Sequence, residues 1–264
     1  MRRLISFSCA GETLAGTVDA ADGTTGLLIV SGGNEVRWGA HRGMAMLAGE
    51  LAAAGHPVFR FDRRGIGDST GTNGGFQASG EDIEAAAAAF RRECPHVTRI
   101  IGFGNCDAAT ALALFHARAG LDALILANPW VIPGDGDLPP PAAVKARYVE
   151  RMRDPRQLVR LIRGEISLTK LFNGLGSLLR TRNKDHALAD RVAAALIAGR
   201  KPLTLLLARG DNTAIAFAEA WRDPAFAPLR GEASVLTCDT ASHSFAEPAD
   251  KLWLRDRLLD ALRG

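Results

Sequence analysis

The stretch Ile100-Ile101-Gly102-Phe103-Gly104-Asn105-Cys106-Asp107-Ala108-Ala109-Thr110 puts a cysteine where an apolar strand runs directly into a helix. Gly104 and Ala108 leave little bulk two residues to either side. A turn that pushes one side chain outward on a strained bend needs that spacing. At a helix N-terminus the local dipole favours a thiolate over a thiol, and the N–H of Asp107 points where an oxyanion would develop. Such a thiolate is a nucleophile for acyl transfer. The competing reading is a buried structural cysteine at an ordinary strand–helix turn. A Gly-x-Cys-x-Ala string alone favours that reading; the position after the central strand of the pattern reverses the preference.

A second segment carries a more specific signal. Asp62-Arg63-Arg64-Gly65-Ile66-Gly67-Asp68-Ser69 follows a short strand and has the form Asp-x-Arg-Gly-x-Gly-x-Ser, which resembles the α/β hydrolases. Its own role reads as structural: the glycines permit tight backbone turns and Arg64 offers several hydrogen bonds. The resemblance implies roles for three other segments. Ser31-Gly32-Gly33-Asn34-Glu35 falls at the family's oxyanion loop, so Gly33 or Asn34 would donate beside Asp107, with Ser31 where the family often has His. Glu35 and Arg37 become candidates to line the pocket. Of the histidines at 41, 56, 96, 116, 186 and 243, only His243 follows the last strand and precedes the last helix, the family's place for its base. Asp211 in Arg209-Gly210-Asp211-Asn212-Thr213 matches the acid, although the family's Gly-x-x-Asp spacing is shortened. An Asp before a helix is also a good N-cap, and Asp239 is the alternative acid. More narrowly, Gly104-Asn105-Cys106-Asp107, Asp211-Asn212-Thr213-Ala214 and His243-Ser244-Phe245 resemble the exosortase A system-associated hydrolase 1 family. That resemblance implies a bacterial export-sorting and exopolysaccharide setting.

The elements that must position these residues are legible as periodicity. Strands are expected at the N-terminus, where Ile5, Phe7 and Cys9 share a face, and at Leu14–Val18, Leu27–Val30, Pro57–Phe61, Thr98–Phe103, Leu121–Ala127, Leu203–Ala208 and Ser234–Cys238. Helices are expected at His41–Ala54, through Ala85–Ala89, and at Asp107–Ala119, Thr213–Trp221 and Pro248–Leu262. Ser79 reads as the cap of the second helix, with Asp82 in the third position of a capping box. This order predicts an α/β-hydrolase fold with a mostly parallel sheet flanked by helices. The core would be residues 1–132 and 201–264. Residues 133–200, entered through a Pro- and Gly-rich run and helical in pattern, read as a lid or cap insertion.

Composition sets the outer limits. Hydrophobic residues at 47% and 264 residues in all suffice for one large core. Net charge is +3, which makes no case for nucleic acid. Residues 145–201 nevertheless hold 14 Lys and Arg against 5 Asp and Glu, leaving the remainder at −6. Solvated helix faces explain that excess; a lid selecting anionic substrates is the alternative. No apolar run reaches the ~18 residues of a membrane span, and the N-terminus lacks the apolar core of a signal peptide. Four scattered cysteines fit a reduced, cytoplasmic setting, with no metal and no cofactor expected. The expected function is an esterase or thioesterase acting on a small acyl substrate through Cys106, His243 and Asp211. An acyltransferase with the same cysteine, or a non-catalytic binding protein on the same fold, are the alternatives. Oligomeric state is left open.

Overall fold

The structure is a computed structural model that describes residues 1–132 and 186–264. Eight strands form one sheet: β1 (Arg2–Cys9), β2 (Glu12–Asp19), β3 (Thr25–Val30), β4 (Val58–Phe61), β5 (Arg99–Asn105), β6 (Ala123–Ala127), β7 (Leu203–Ala208) and β8 (Ser234–Cys238). Their order across the sheet is β1-β2-β4-β3-β5-β6-β7-β8. β1 pairs antiparallel with β2 and β2 antiparallel with β4; all later pairs are parallel. Among the described residues the α-helices are α1 (Gly43–Ala53), α2 (Gly80–Glu93), α3 (Asp107–Phe115), α4 (His186–Gly199), α5 (Asn212–Ala220) and α6 (Pro248–Arg263). This is the α/β-hydrolase fold expected from the sequence.

The alternation of side chains along each strand sorts the core into two layers. One layer holds Phe7, Leu14, Phe59 and Phe61 against Ile83 and Phe90 of α2, with α3, α4 and α5 on the same side. The other holds Leu27, Ile29, Val58 and Ile101 against Leu47 and Leu51 of α1 and Leu254 and Leu258 of α6. Each large side chain buried in this way contributes about 1.5–3 kcal/mol. The chain runs from β3 outward to β4, then crosses back to β5 on β3's other side. The C-terminal ends of β3 and β5 therefore flank the point where strand order reverses, the place where open α/β sheets bind ligands.

Three local expectations change. α1 begins at Gly43 because His41 and Arg42 both have left-handed backbones (φ 50° and 60°) that a helix cannot continue through. The capping box at α2 does not form. Ser79 Oγ donates to the Phe76 carbonyl instead, and Asp82 accepts from the backbone N–H and the Nε of Arg64. An ion pair from a distant loop has outcompeted the local cap. α3 ends at Phe115, short of Ala119, and the chain turns through Gly120. Of the insertion expected at 133–200, residues 133–185 lie outside the described residues. Its remainder is α4, which buries Ala189, Val192, Ala193 and Leu196 in the same layer as α3.

Candidate active site

Cys106 sits between β5 and α3 with φ 62° and ψ −126°. That conformation costs a non-glycine residue about 1–3 kcal/mol and persists only where the surroundings enforce it. The enforcement is visible. Cys106 N–H donates to the Ala127 carbonyl at 3.0 Å, while its own carbonyl accepts from Trp130 N and Thr110 N. A Cβ on Gly104 would stand 2.8 Å from the Ala108 carbonyl carbon, so only glycine fits two residues before the bend. Cys106 is partly exposed, whereas Cys9, Cys94 and Cys238 are buried. Burial and the Asp82 contact push the Cys9 thiol up to about 11. Burial also raises Cys94 and Cys238, the latter with help from Asp250.

His243 lies on the loop between β8 and α6. Phe245 anchors that loop, being 1% exposed and stacked on Trp253 with ring centroids 5.7 Å apart. His243 Nδ1 is 3.0 Å from Asp211 Oδ1. Hydrogen bonds with Asp211 and then Cys106 push the imidazole up to about 10, against the opposing effect of burial. Burial pushes the Asp211 carboxyl up, but His243 and the amides of Ala214 and Thr213 outweigh it and hold it below its ordinary value. Asp211 is both things the sequence offered: Oδ2 accepts from Ala214 N at 3.0 Å as the N-cap of α5, and Oδ1 faces His243. Asp239, the alternative acid, is exposed and pairs with Arg209 at 3.4 Å.

The loop after β3 approaches the elbow from the neighbouring strand, Val30 being in register with Gly104. A Cβ on Gly32 would meet Asp107 Oδ1 at 2.5 Å. Gly33 N–H donates to that same carboxylate oxygen at 2.8 Å. The Asn34 side chain instead accepts from Asn73. A cavity of about 210 Å³ is lined by Ser31, Gly33, Glu35, Met44, Cys106 and His243, with Phe103 and Phe245 supplying apolar wall. Partial desolvation at its rim pushes the Glu35 carboxyl up; His243 opposes this and Asp107 adds to it. Arg37, expected in this pocket, lies elsewhere. Its guanidinium is buried against Asp62 and Thr17 Oγ1. Arg64 has the structural role expected, pairing with Asp82 at 2.5 Å and Glu81 at 3.0 Å.

Two groups of residues around the site carry no signal in the sequence. Asn128, fully buried and left-handed (φ 41°), follows β6. Its Nδ2 donates to the His243 carbonyl at 3.0 Å and to Asn105 Oδ1 at 3.1 Å, and its Oδ1 accepts from Ala208 N at 2.8 Å. Asn105 Nδ2 reaches the same His243 carbonyl at 3.1 Å. One buried amide thus joins the elbow, the histidine loop and the strand that leads to Asp211. Arg63, also buried, donates to the Gly33 carbonyl. Burial lowers its guanidinium pKa, with Asp107 and Asp82 opposing.

Among the described residues no cluster of three or more His, Cys, Asp or Glu could hold a metal, and no helix is long and apolar enough to cross a membrane. Residues 26–197 match the family described as serine aminopeptidase, S33. The structure is similar to an esterase of Pyrococcus furiosus, at 15% identity and TM-score 0.65, covering 100% of this chain and 90% of that one. It is similar to dienelactone hydrolase from Anabaena variabilis at 15% identity and TM-score 0.64, covering 98% and 94%. It is also similar to a Xanthomonas campestris serine hydrolase described as lacking a lid, at 16% identity and TM-score 0.60, covering 99% and 94%. At these identities the likeness is one of fold. No curated protein matches the chain.

Proposed function

The chain belongs to the serine aminopeptidase S33 family of α/β hydrolases, and on that premise we propose that it is an esterase or thioesterase in which Cys106 replaces the serine of the family's description. The observation that carries this reading is the geometry of one cleft: Asp211 Oδ1 lies 3.0 Å from His243 Nδ1, and His243 lines the same cavity as Cys106 on its strained bend. A protonated imidazole beside the sulfur stabilises the thiolate. The thiolate attacks the acyl carbon and a C–S bond forms. The ester or thioester bond then breaks as His243 gives its proton to the leaving group. Water attacks the thioester with His243 as base, the C–S bond breaks, and the free acid leaves.

The Asp107 N–H, in the first turn of α3 where amides lack helical partners, and the Gly33 N–H are the proposed oxyanion donors. Gly33 is favoured over Asn34 because its amide faces the elbow, where it holds an Asp107 carboxylate oxygen. The substrate oxygen would take that oxygen's place. Thiol and hydroxyl differ in size and basicity, so turnover of generic esters should be slow. The motif likeness to exosortase A system-associated hydrolase 1 supplies a proposed pathway setting and no substrate.

Iodoacetamide labelling with peptide mapping, followed by stopped-flow p-nitrophenyl acetate hydrolysis, tests the assignment. Cys106 should label ahead of the three buried thiols, and the ester should give a burst with the acetyl group on Cys106. Label on Cys9, Cys94 or Cys238 with Cys106 inert would remove the nucleophile. An acyl-enzyme that resists water but yields to an added amine or alcohol would make the protein an acyltransferase.

A further inference from the structure

A second cavity, of about 410 Å³, opens on the other end of the same loop. Gly32, Gly33 and Glu35 of this loop line the catalytic cleft, while Arg37, Trp38 and Arg42 line the second cavity together with Arg2, Leu4 and Arg60. Four arginines among the lining residues of one cavity stand out in a chain whose residues outside 145–201 carry a net charge of −6.

Their pairing leaves positive charge over. Arg2 and Arg60 share one carboxylate, Asp19, at 2.6 Å and 2.9 Å. Arg37 takes Asp62 and the exposed Asp68. Arg42 has no ion-pair partner among the described residues. Arg60 is 2% exposed, and its Nε finds no hydrogen-bond partner among those residues. Burial lowers its guanidinium pKa; Asp19 opposes this, and Arg2 and Arg37 add to it. An unsatisfied buried donor costs about 1–3 kcal/mol, more when charged. The loop is also strained where it presents these groups, with His41 and Arg42 left-handed in succession. Strain of this kind collects at ligand clamps.

Leu4, Trp38 and Ala45 give the lining an apolar part. Leu4 is 75% exposed and Trp38 39% exposed, large fractions for such side chains. The Arg37 guanidinium lies 5.0 Å from the Trp38 ring centroid, which fixes the ring. The volume falls within the range of about 300–1,000 Å³ typical of small-molecule sites, well beyond what a bare ion needs. Guanidinium forks recognise phosphoryl oxygens bidentately, and the several oxygens of a phosphate can be shared among more than one fork.

We propose that this cavity binds a small organic phosphate, with its phosphoryl group on Arg2 and Arg42, Arg60 holding Asp19 behind them, and its apolar body against Trp38 and Leu4. The site is separate from Cys106 and does not depend on the acyl-transfer reading.

Isothermal titration calorimetry on the full chain provides the test, with adenosine 5′-monophosphate, inorganic phosphate and adenosine as probes. The monophosphate should bind saturably, phosphate more weakly and adenosine not measurably. Arg42→Asn keeps a residue that tolerates the left-handed backbone and removes the charge; it should weaken the monophosphate at least about tenfold. Trp38→Ala should weaken the monophosphate and leave phosphate unchanged. Protein alkylated at Cys106 should bind as before. Absence of saturable binding in the millimolar range, an affinity unchanged in both variants, or loss of binding on alkylation would each overturn the proposal, the last by placing the ligand in the catalytic cleft.

Discussion

Two strand-to-helix junctions of this molecule solve the same local problem in opposite ways. At β7–α5 the junction residue is Asp211, extended at φ −80° and ψ 136°, with its side chain accepting from Ala214 N. At β5–α3 the junction residue is Cys106, at φ 62° and ψ −126°, with no side-chain cap at all. The first is a relaxed N-cap worth about 0.5–2 kcal/mol of stability. The second gives up the cap and carries strain instead. The difference separates a side chain turned back onto its own helix from one turned out into a cleft. Asp211 does some of each: one oxygen serves the helix and the other serves His243. A carboxylate can divide its work in this way because it has two acceptors; a thiol has one sulfur and must be released entirely.

The contrast is most sharply broken by removing the group both junctions face. His243→Ala should lower the rate of Cys106 acylation by roughly 10³-fold while leaving the thermal melt close to the wild type, since a half-buried loop side chain leaves no large cavity. Stopped-flow acylation and calorimetry measure the two quantities. Wild-type acylation in the variant would take His243 out of the mechanism.

Asp211 allows its two duties to be separated. Asp211→Asn keeps a capping oxygen and removes the charge on His243. Acylation should fall by roughly 10²-fold at neutral pH with little change in stability. Asp211→Ala should lose the same rate and also about 1 kcal/mol of stability. Equal melts for the two variants would mean that the cap contributes nothing, and an unaffected rate in the Asn variant would hand the role of acid to another group.

A smaller effect is expected one step back from the chemistry. Asn128→Gly accepts the left-handed backbone but deletes every bond to the His243 carbonyl, Asn105 and Ala208. We expect kcat to fall about tenfold with KM little changed, and stability to fall by about 1–3 kcal/mol from the unpaired groups. The pH profile of Cys106 alkylation should move as well. A lowered melt with an unaltered pH profile would reduce Asn128 to a purely structural part.

The smallest effect lies far from the cleft, in a histidine that is no partner to either junction. His116 is 1% exposed, and burial lowers its pKa below the ordinary 6.5 while backbone contacts with Ala113 and Leu112 oppose this. Because the unfolded chain takes up this proton first, stability should decline as pH falls below about 6.5, until the folded state is also protonated. His116→Gln should flatten that decline in denaturant titrations at pH 7 and pH 5. An unchanged slope would assign the acid sensitivity to other groups.

The elements were legible where their signal is local. Apolar runs such as Leu27–Val30 and Leu203–Ala208, and the stop at Gly55 after α1, follow from neighbours in the chain. Three local readings failed, and two have causes in view. The capping box was lost because Arg64, 15 residues earlier than Ser79, holds Asp82 more strongly than the cap does. Helix α1 was drawn too long because left-handed geometry at His41 and Arg42 leaves no mark in residue type. The structure offers no comparable account of why α3 stops at Phe115.

Sequence by itself determined the order of strands and helices along the chain and the bend at Cys106, because glycine positions and apolar period are properties of a single stretch of chain; the candidates His243, Asp211 and Gly33 or Asn34 came from the motif resemblance. Only the tertiary structure decided which oxygen of Asp211 faces His243, that Gly33 N–H holds the Asp107 carboxylate, and that Arg37 leaves the catalytic pocket for a cavity shared with Arg2, Arg42 and Arg60. It alone brought Asn128 to the carbonyl of a residue 115 positions away. A polar side chain's partner is set by which strands lie side by side, and sequence spacing carries no record of that until the sheet has formed.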